Sequence, residues 1–295
     1  MDKTKPRNLL KLFLKIGFTA LLLYLVLNKI NFTEIKEISQ RCNPFYIFPA
    51  LMAFFLSQVI SSWRLLSFLR NIELKINFGF NSRLYLLGMF YNIFLPGGIG
   101  GDGYKIYLLH KKSLLPAKRI FGAIFFDRLS GLWAVSLIAV VLLFFIPKTF
   151  IPINPAAIIF AGATLIYYFI LQRYFNVVSR HFLLNHLKSV AVQLMQLLCV
   201  VFILKSINFS GDFSPYLFSF LVSSVVAIIP FTIGGLGARE YVMINASLLL
   251  TMDKNTGVFI SATFWILSAL ISLSGIYYAY GSKEFKTAPT VEGIL

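Results

Sequence analysis

The chain has 295 residues, of which 58% are hydrophobic and 13% charged, and its mean hydropathy is +0.79. This composition argues against a soluble domain and is typical of an integral membrane protein. The net charge of +16 would suggest nucleic acid in a soluble protein, but the basic residues cluster between apolar runs and form no basic patch interleaved with aromatics. We therefore expect no nucleic-acid partner. Cys42 and Cys199 have no CxxC or histidine companion, so neither a metal site nor a disulfide is indicated, and we expect no cofactor.

Six runs are long and apolar enough to span about 30 Å of hydrocarbon. The first follows several lysines and an arginine and has no small-residue cleavage site, so residues 1–30 are predicted to form a retained signal-anchor helix. Two further runs, near 84–110 and 215–252, are interrupted by proline and glycine. The six uninterrupted runs are 10–30, 45–69, 120–146, 156–172, 187–204 and 257–280.

The two interrupted runs carry one motif twice. LPGGIGGDGYK begins at Leu95 and IPFTIGGLGARE begins at Ile229, and the shared pattern Pro-x-x-Ile-Gly-Gly-x-Gly recurs 134 positions apart. A Pro/Gly loop at membrane depth needs protein or a water-filled cavity to satisfy its backbone, so two such loops suggest one site. The alternative is that the glycines only allow close helix packing. The predicted loop-shaping residues are Pro96, Gly97, Gly98, Gly100, Gly101, Gly103, Pro230, Gly234, Gly235 and Gly237.

The basic residues predict the orientation of the runs. Both stretches that flank the first motif are basic, so the first hairpin should enter from the cytoplasm, whereas the second has few basic flanks and should enter from outside. We predict an all-α polytopic membrane protein, a single domain over residues 1–295. It would combine about six spanning helices with two opposed re-entrant hairpins in an inverted repeat, 45–146 and 187–280. Both termini should be cytoplasmic, with the protein in the cytoplasmic (inner or plasma) membrane.

A few ionisable residues fall within these runs, where they are costly and usually face a partner or a polar cavity. The cations among them suit a phosphate, and the carboxylates could balance those cations, accept an amino headgroup or carry a coupling proton. The alternative is that these residues pair with one another to close the hairpins. The predicted substrate-binding residues are Asn92, Asp102, Lys105, Asp127, Arg128, Arg239 and Glu240.

Three segments together resemble a known family. YNIFLPGGIGGDGYK from Tyr91, FFDRLSG from Phe125 and IPFTIGGLGARE from Ile229 are similar to signatures of the lysylphosphatidylglycerol synthase transmembrane region family. The resemblance implies a flippase-like, lipid-handling domain; bifunctional members move an aminoacylated phospholipid after a soluble domain makes it. This chain is all membrane region, so we expect a stand-alone member. The resemblance supports Asp102, Arg128, Arg239 and Glu240 as functional positions, with Lys105 added by position and charge.

These observations predict a lipid flippase or transporter that moves a lipid with a charged headgroup through a midplane polar cavity. The expected partners are membrane lipids, namely anionic or aminoacylated phospholipids or polyprenyl-phosphate lipids, and a homo-oligomer is left open. The main alternative is an intramembrane enzyme or accessory factor for lipid-linked glycans, with Asp102 or Asp127 as acid, base or metal ligand. The sequence has no catalytic constellation that would favour an enzyme, and a structural role in an envelope-lipid complex is a third reading. The sequence has no nucleotide-binding motif either, so transport would be downhill or gradient-driven.

Overall fold

A computed structural model describes residues 4–94, 100–113, 115–146, 152–228 and 232–280, with side chains from Ile16 onward. The described residues are helical with short connections, which confirms the predicted all-α class. The helices are α1 (Thr4–Leu27), α2 (Phe32–Gln40), α3 (Pro44–Asn71), α4 (Phe78–Phe94), α5 (Gly100–Lys112), α6 (Ala117–Leu143), α7 (Ile153–Tyr174), α8 (Phe182–Ser206), α9 (Ser214–Ala227), α10 (Ala238–Leu249), α11 (Lys254–Leu273) and α12 (Gly275–Tyr280).

Five of these segments are long and apolar enough to cross a membrane, and a sixth is obtained if α1 and α2, which meet at 89°, count as one bent span. The five are α3, α6, α7, α8 and the α11–α12 segment, and each coincides with a predicted run. Large apolar side chains are exposed on their outer faces; on α7 these include Ile158, Leu165 and Phe169. Such surfaces suit lipid rather than water. The chain is an integral membrane protein.

Local sequence signals set where several helices begin. Asn43 precedes α3, its side chain accepts a hydrogen bond from the Phe45 amide, and Pro44 occupies the first helical position. Asp253 caps α11 in the same way by accepting from the Thr256 amide. These residues satisfy amide donors that a helix start leaves without intrahelical partners. Proline fits there because its missing N–H is one of those groups.

The longest packed interface, between α3 and α8, shows how the two halves are related. The Asn43 amide at the start of α3 donates to the Ser206 carbonyl at the end of α8 (2.7 Å). At the opposite end of α3, Asn71 Nδ2 donates to the Arg180 carbonyl just before α8 (2.7 Å). The two helices are therefore antiparallel. Since α3–α6 and α8–α11 follow the same order along the chain, the two repeats are inverted, as the sequence predicted.

The repeats are also interlocked. In each repeat the two short helices pack together, α4 with α5 and α9 with α10. In addition, α6 of the first repeat packs on α9, and α11 of the second packs on α4. Each helix pair is thus held by a spanning helix of the other repeat, and this arrangement brings the two glycine motifs to the same region of the protein.

Two apolar clusters show that the helix pairs extend toward opposite ends of the molecule. The first contains Leu84 and Leu108 from the outer parts of α4 and α5, with Leu69 from the end of α3. The second contains Phe220 of α9 and Leu204 from the end of α8. This opposed arrangement agrees with the predicted hairpins; that the hairpins re-enter the membrane stays a prediction.

Helix α1 lies against the second helix pair. The Ile233 amide, in the turn before α10, donates to Thr19 Oγ1 of α1 at 3.2 Å. A Cβ atom added to Gly237 would lie 3.1 Å from Leu22 Cβ. The N-terminal helix therefore supports the loop of the second repeat, more than 200 positions away along the chain.

Candidate functional site

Two glycines allow α4 and α5 to come into close contact. A Cβ atom on Gly101 would lie 2.0 Å from the Gly88 carbonyl oxygen, and one on Gly88 would lie 2.3 Å from Lys105 Cε. Gly101 has no room for a larger side chain because its neighbour is backbone, whereas a side chain at Gly88 would require Lys105 to move. The Gly101 amide also donates to Asn92 Oδ1 at 3.0 Å. The Lys105 side chain of the first motif therefore packs directly against Gly88, one turn of α4 before Asn92.

The second motif forms a turn that needs glycine for a different reason. Gly234, Gly235 and Gly237 have φ values of +60°, +87° and +81°, in the left-handed region that other residues rarely adopt. The Gly237 amide donates to Glu240 Oε2 (2.6 Å), which closes the first turn of α10. Gly100 and Gly103 lie in the first turn of α5. The remaining predicted loop-shaping residues, Pro96, Gly97, Gly98 and Pro230, lie outside the described residues.

The two loops meet. A Cβ atom on Gly234 would lie 3.1 Å from Ile93 Cγ1 of the first repeat and 3.2 Å from Trp265 Nε1 of α11. Trp265 Nε1 also donates to the Ile233 carbonyl at 3.2 Å. Beside this contact lies a cavity of about 360 Å3, within the range of about 300–1,000 Å3 usual for ligand sites. Five of the predicted binding residues line it: Asn92, Asp102, Lys105, Arg128 and Arg239.

Asp102 is the centre of an ion cluster in the cavity wall. The Arg128 guanidinium donates two hydrogen bonds to its carboxylate, from Nε to Oδ2 at 2.9 Å and from Nη2 to Oδ1 at 3.0 Å. Lys105 Nζ donates to Oδ1 at 3.0 Å and lies 4.5 Å from the centre of the Tyr85 ring. The Arg128 side chain is nevertheless 46% exposed although it lies inside a spanning helix. Since Arg128 lines the cavity, a substrate in the cavity can reach this guanidinium.

Arg239 holds the matching place in the second repeat, 134 positions after Lys105. Its Nη1 donates to Ser224 Oγ at 2.9 Å, and its guanidinium carbon lies 5.5 and 5.2 Å from the ring centres of Phe220 and Phe264. Aromatic faces attract a cation but do not neutralise its charge. Within the described part of the chain, no carboxylate forms an ion pair with Arg239.

Asp127 and Glu240, two of the predicted binding residues, are not among the lining residues of the cavity. Asp127 is buried and accepts from Arg64 Nε at 2.8 Å and from Nη2 at 3.3 Å. Arg64 Nη1 also donates to Ser189 of α8 at 3.0 Å, so this pair joins α3, α6 and α8. Glu240 Oε2 accepts a hydrogen bond from the Gly237 amide at the start of its own helix. In the structure both carboxylates have structural partners rather than a place in the cavity wall.

Sequence reasoning missed Arg64 and the aromatic residues around Arg239. Arg64 lies within the predicted span 45–69. A charge inside a span needs a partner, and that signal could have predicted an ion pair. Phe220 and Phe264 carry no comparable signal, because most phenylalanines in such a chain face lipid or packing interfaces.

Fold and site define a polytopic membrane protein with an internal polar cavity between two inverted repeats. A family model for the lysylphosphatidylglycerol synthase TM region matches residues 12–275. The match covers most of the chain, so the protein belongs to this family, as its motifs predicted, and its role is related to membrane lipids. Among curated proteins no match was found.

Proposed function

We propose that this protein is a lipid flippase, which moves a phospholipid or another lipid with a charged headgroup between the leaflets of the cytoplasmic membrane. The headgroup would occupy the cavity while the acyl or prenyl chains stay in the bilayer. The observation that carries this proposal is the charged cavity lined by residues of both inverted repeats. Inverted repeats around a shared site are the plan of many transporters that expose the site alternately to each side.

The chemistry of the wall supports a headgroup as the ligand. Moving a charged headgroup through hydrocarbon is unfavourable because the charge loses its hydration. Lys105, Arg128 and Arg239 supply cationic donors that would offset this loss for a phosphate. Asn92 lines the same wall and fixes the Gly101 amide. The cavity thus replaces part of the water shell that the lipid leaves at the membrane surface.

The positions of basic residues support an orientation with both termini in the cytoplasm. Arg70, Lys112, Lys118 and Arg180 lie at or near helix ends that contribute to the first apolar cluster, so they gather at one end of the molecule. An excess of lysine and arginine marks the cytoplasmic end of membrane proteins. In this orientation the α4–α5 pair extends from the cytoplasmic end.

The geometry gives less support to an intramembrane enzyme. For Asp102 or Asp127 to act as acid, base or metal ligand, its carboxylate must be able to reach the substrate. Both oxygens of Asp102 already accept from Arg128, and Asp127 is buried against Arg64. No group of three or more metal-ligating side chains occurs in the described part of the chain.

Leaflet exchange in liposomes tests the proposal. The purified protein would be reconstituted with acyl-labelled lipids of several headgroups, and quenching from outside would follow their exchange. We expect headgroup-selective exchange by the native protein and exchange close to that of protein-free vesicles by the double variant Arg128→Ala/Arg239→Ala. The matched control Arg173→Ala/Arg180→Ala, which removes the same charge outside the cavity, should retain exchange. Equal exchange by native protein and double variant, or no exchange of any lipid by folded native protein, would reject the proposal.

A further inference from the structure

The charges around the cavity do not balance. Its described lining contains three cations, Lys105, Arg128 and Arg239, and one carboxylate, Asp102. The formal charge of the described lining is therefore about +2 with ordinary ionisation.

The single carboxylate of the described lining is largely occupied. Asp102 Oδ1 accepts from both Lys105 and Arg128 at 3.0 Å, and Oδ2 accepts from Arg128 at 2.9 Å, which uses three of about four acceptor positions of a carboxylate. Charge-assisted bonds of this kind are among the strongest in proteins. An ammonium group at Asp102 would compete with these donors and would face the two like charges of Lys105 and Arg128.

The second repeat, in contrast, offers an available donor. Arg239 uses Nη1 on Ser224 and has no carboxylate partner among the described residues, which leaves Nε and Nη2 for a ligand. Thr232 and Ser272, also in the cavity lining, have buried hydroxyls with no hydrogen-bond partner in the described structure. Arg239 is partly buried and has no ion-pair partner among the described residues, whereas one of the two positive charges at the Asp102 cluster is already balanced, so an anion in the cavity meets its least compensated cation at Arg239.

We infer that the headgroup recognised in this cavity is a phosphate monoester, as in phosphatidic acid, and that cationic aminoacylated headgroups are disfavoured. The inference rests on the proposed function, whose substrate class it narrows. A phosphate monoester carries about −1.5 to −2 charges near pH 7, which matches the charge of the cavity. A phosphodiester headgroup carries one negative charge, and an aminoacyl group adds ammonium charges that the cavity would repel.

The first test compares exchange rates of acyl-labelled lipids that differ only in headgroup. Phosphatidic acid, phosphatidylglycerol, aminoacylated phosphatidylglycerol and phosphatidylcholine would be measured with the native protein in the same liposomes. We expect phosphatidic acid to exchange about tenfold faster than the aminoacylated lipid, the effect of about one charge-assisted hydrogen bond. Exchange of the aminoacylated lipid at an equal or higher rate would reject the inference while supporting the flippase.

A binding measurement separates this inference from the proposed function. Thermal stabilisation of the detergent-solubilised protein would be measured with short-chain phosphatidic acid, short-chain aminoacylated phosphatidylglycerol and inorganic phosphate. Stabilisation by phosphatidic acid without exchange of any lipid would support a phosphate monoester as the recognised headgroup and would reject the flippase function. Equal stabilisation by inorganic phosphate would show that a free anion is recognised, and stabilisation by the aminoacylated lipid alone would reject the inference.

The variant Arg239→Gln tests whether the unpaired cation causes the preference. We expect it to lose about tenfold in preference for phosphatidic acid over phosphatidylglycerol, whereas Arg173→Gln, outside the cavity, should keep that preference. Arg239→Lys retains the positive charge and should keep most of the preference for phosphatidic acid. That result would show that the loss in the glutamine variant is not a general consequence of changing residue 239. An unchanged preference in folded Arg239→Gln protein would overturn the assignment.

Discussion

The two repeats have the same helix order but differ in where they place charge. In the first repeat Lys105 lies beside Asp102, and Arg64 pairs with Asp127. The residues 134 positions after Asp102, Arg64 and Asp127 are Leu236, Leu198 and Ser261. The second repeat has therefore kept a cation, Arg239, without the acid that its counterpart has. Duplication preserved the fold, whereas the two halves differ in whether the cation at this position has a paired carboxylate: Lys105 has one, and Arg239 has none among the described residues.

The largest expected effect concerns the buried pair that only the first repeat contains. Arg64→Met leaves Asp127 buried without its partner and should lower the free energy of unfolding by about 3–5 kcal/mol. The double variant Arg64→Met/Asp127→Leu removes both charges and should recover most of that loss. Reversible denaturant unfolding in mixed micelles measures these differences. Leu198→Met, at the equivalent position of the second repeat, serves as a control and should change stability by less than about 1.5 kcal/mol.

A comparison of Arg239→Gln with Lys105→Gln asks whether the unpaired charge or the total charge matters. Each variant removes one positive charge from the cavity wall. We expect exchange of anionic lipid to fall about 10- to 150-fold in Arg239→Gln, from the loss of about 1.5–3 kcal/mol of charge-assisted hydrogen bonding. The loss in Lys105→Gln should be clearly smaller because Lys105 already pairs with Asp102. Equal losses in the liposome assay would mean that only the summed charge counts.

The glycine contacts also differ between the repeats, and Gly101 is the position where packing is tightest. Gly101→Ala would bring a Cβ atom within 2.0 Å of the Gly88 carbonyl oxygen. Because that neighbour is backbone, α4 and α5 must separate, and we expect a loss of about 1–3 kcal/mol in unfolding free energy. Gly122→Ala in α6 is the matched control, since nothing lies within 4 Å of its added Cβ. Its stability should be unchanged or slightly raised, so a similar loss in both variants would contradict the packing argument.

A carboxylate at position 236 would make the second repeat resemble the first. Leu236→Asp places a carboxylate three residues before Arg239, the same spacing that separates Asp102 from Lys105. An ion pair there would neutralise Arg239 and should weaken stabilisation by short-chain phosphatidic acid about tenfold in apparent affinity, the equivalent of about 1.4 kcal/mol. Leu236→Asn has nearly the same shape without the charge and should bind more tightly than the aspartate variant. Equal affinities for the two variants would show that Arg239 does not act as an unpaired cation.

The helical plan could be predicted because its signals are local. Uninterrupted apolar runs reveal spans, and a motif repeated 134 positions apart reveals the duplication. The order of spans around the motifs then predicted the inverted arrangement, which the antiparallel contact of α3 and α8 confirms. The angle of 89° between α1 and α2 has no comparable signal, because composition does not set how two helices meet.

The site was less predictable because its contacts are not local. Asp127 and Arg128 are neighbours in sequence, and helix geometry predicts only that they point about 100° apart. Which of them faces the cavity depends on the packing of α6 against α3 and α8. In the structure Asp127 pairs with Arg64, 63 positions away, and Arg128 pairs with Asp102, 26 positions away. No spacing in the sequence encodes those pairings.

The contact between Thr19 of α1 and Ile233 before α10 has a consequence for biogenesis. Helix α1 precedes the turn that it supports by more than 200 positions along the chain. During synthesis this contact can form only once the chain has been made as far as that turn, and contacts this distant in sequence form slowly. The final shape of the second helix pair therefore depends on a segment that is synthesised well before it.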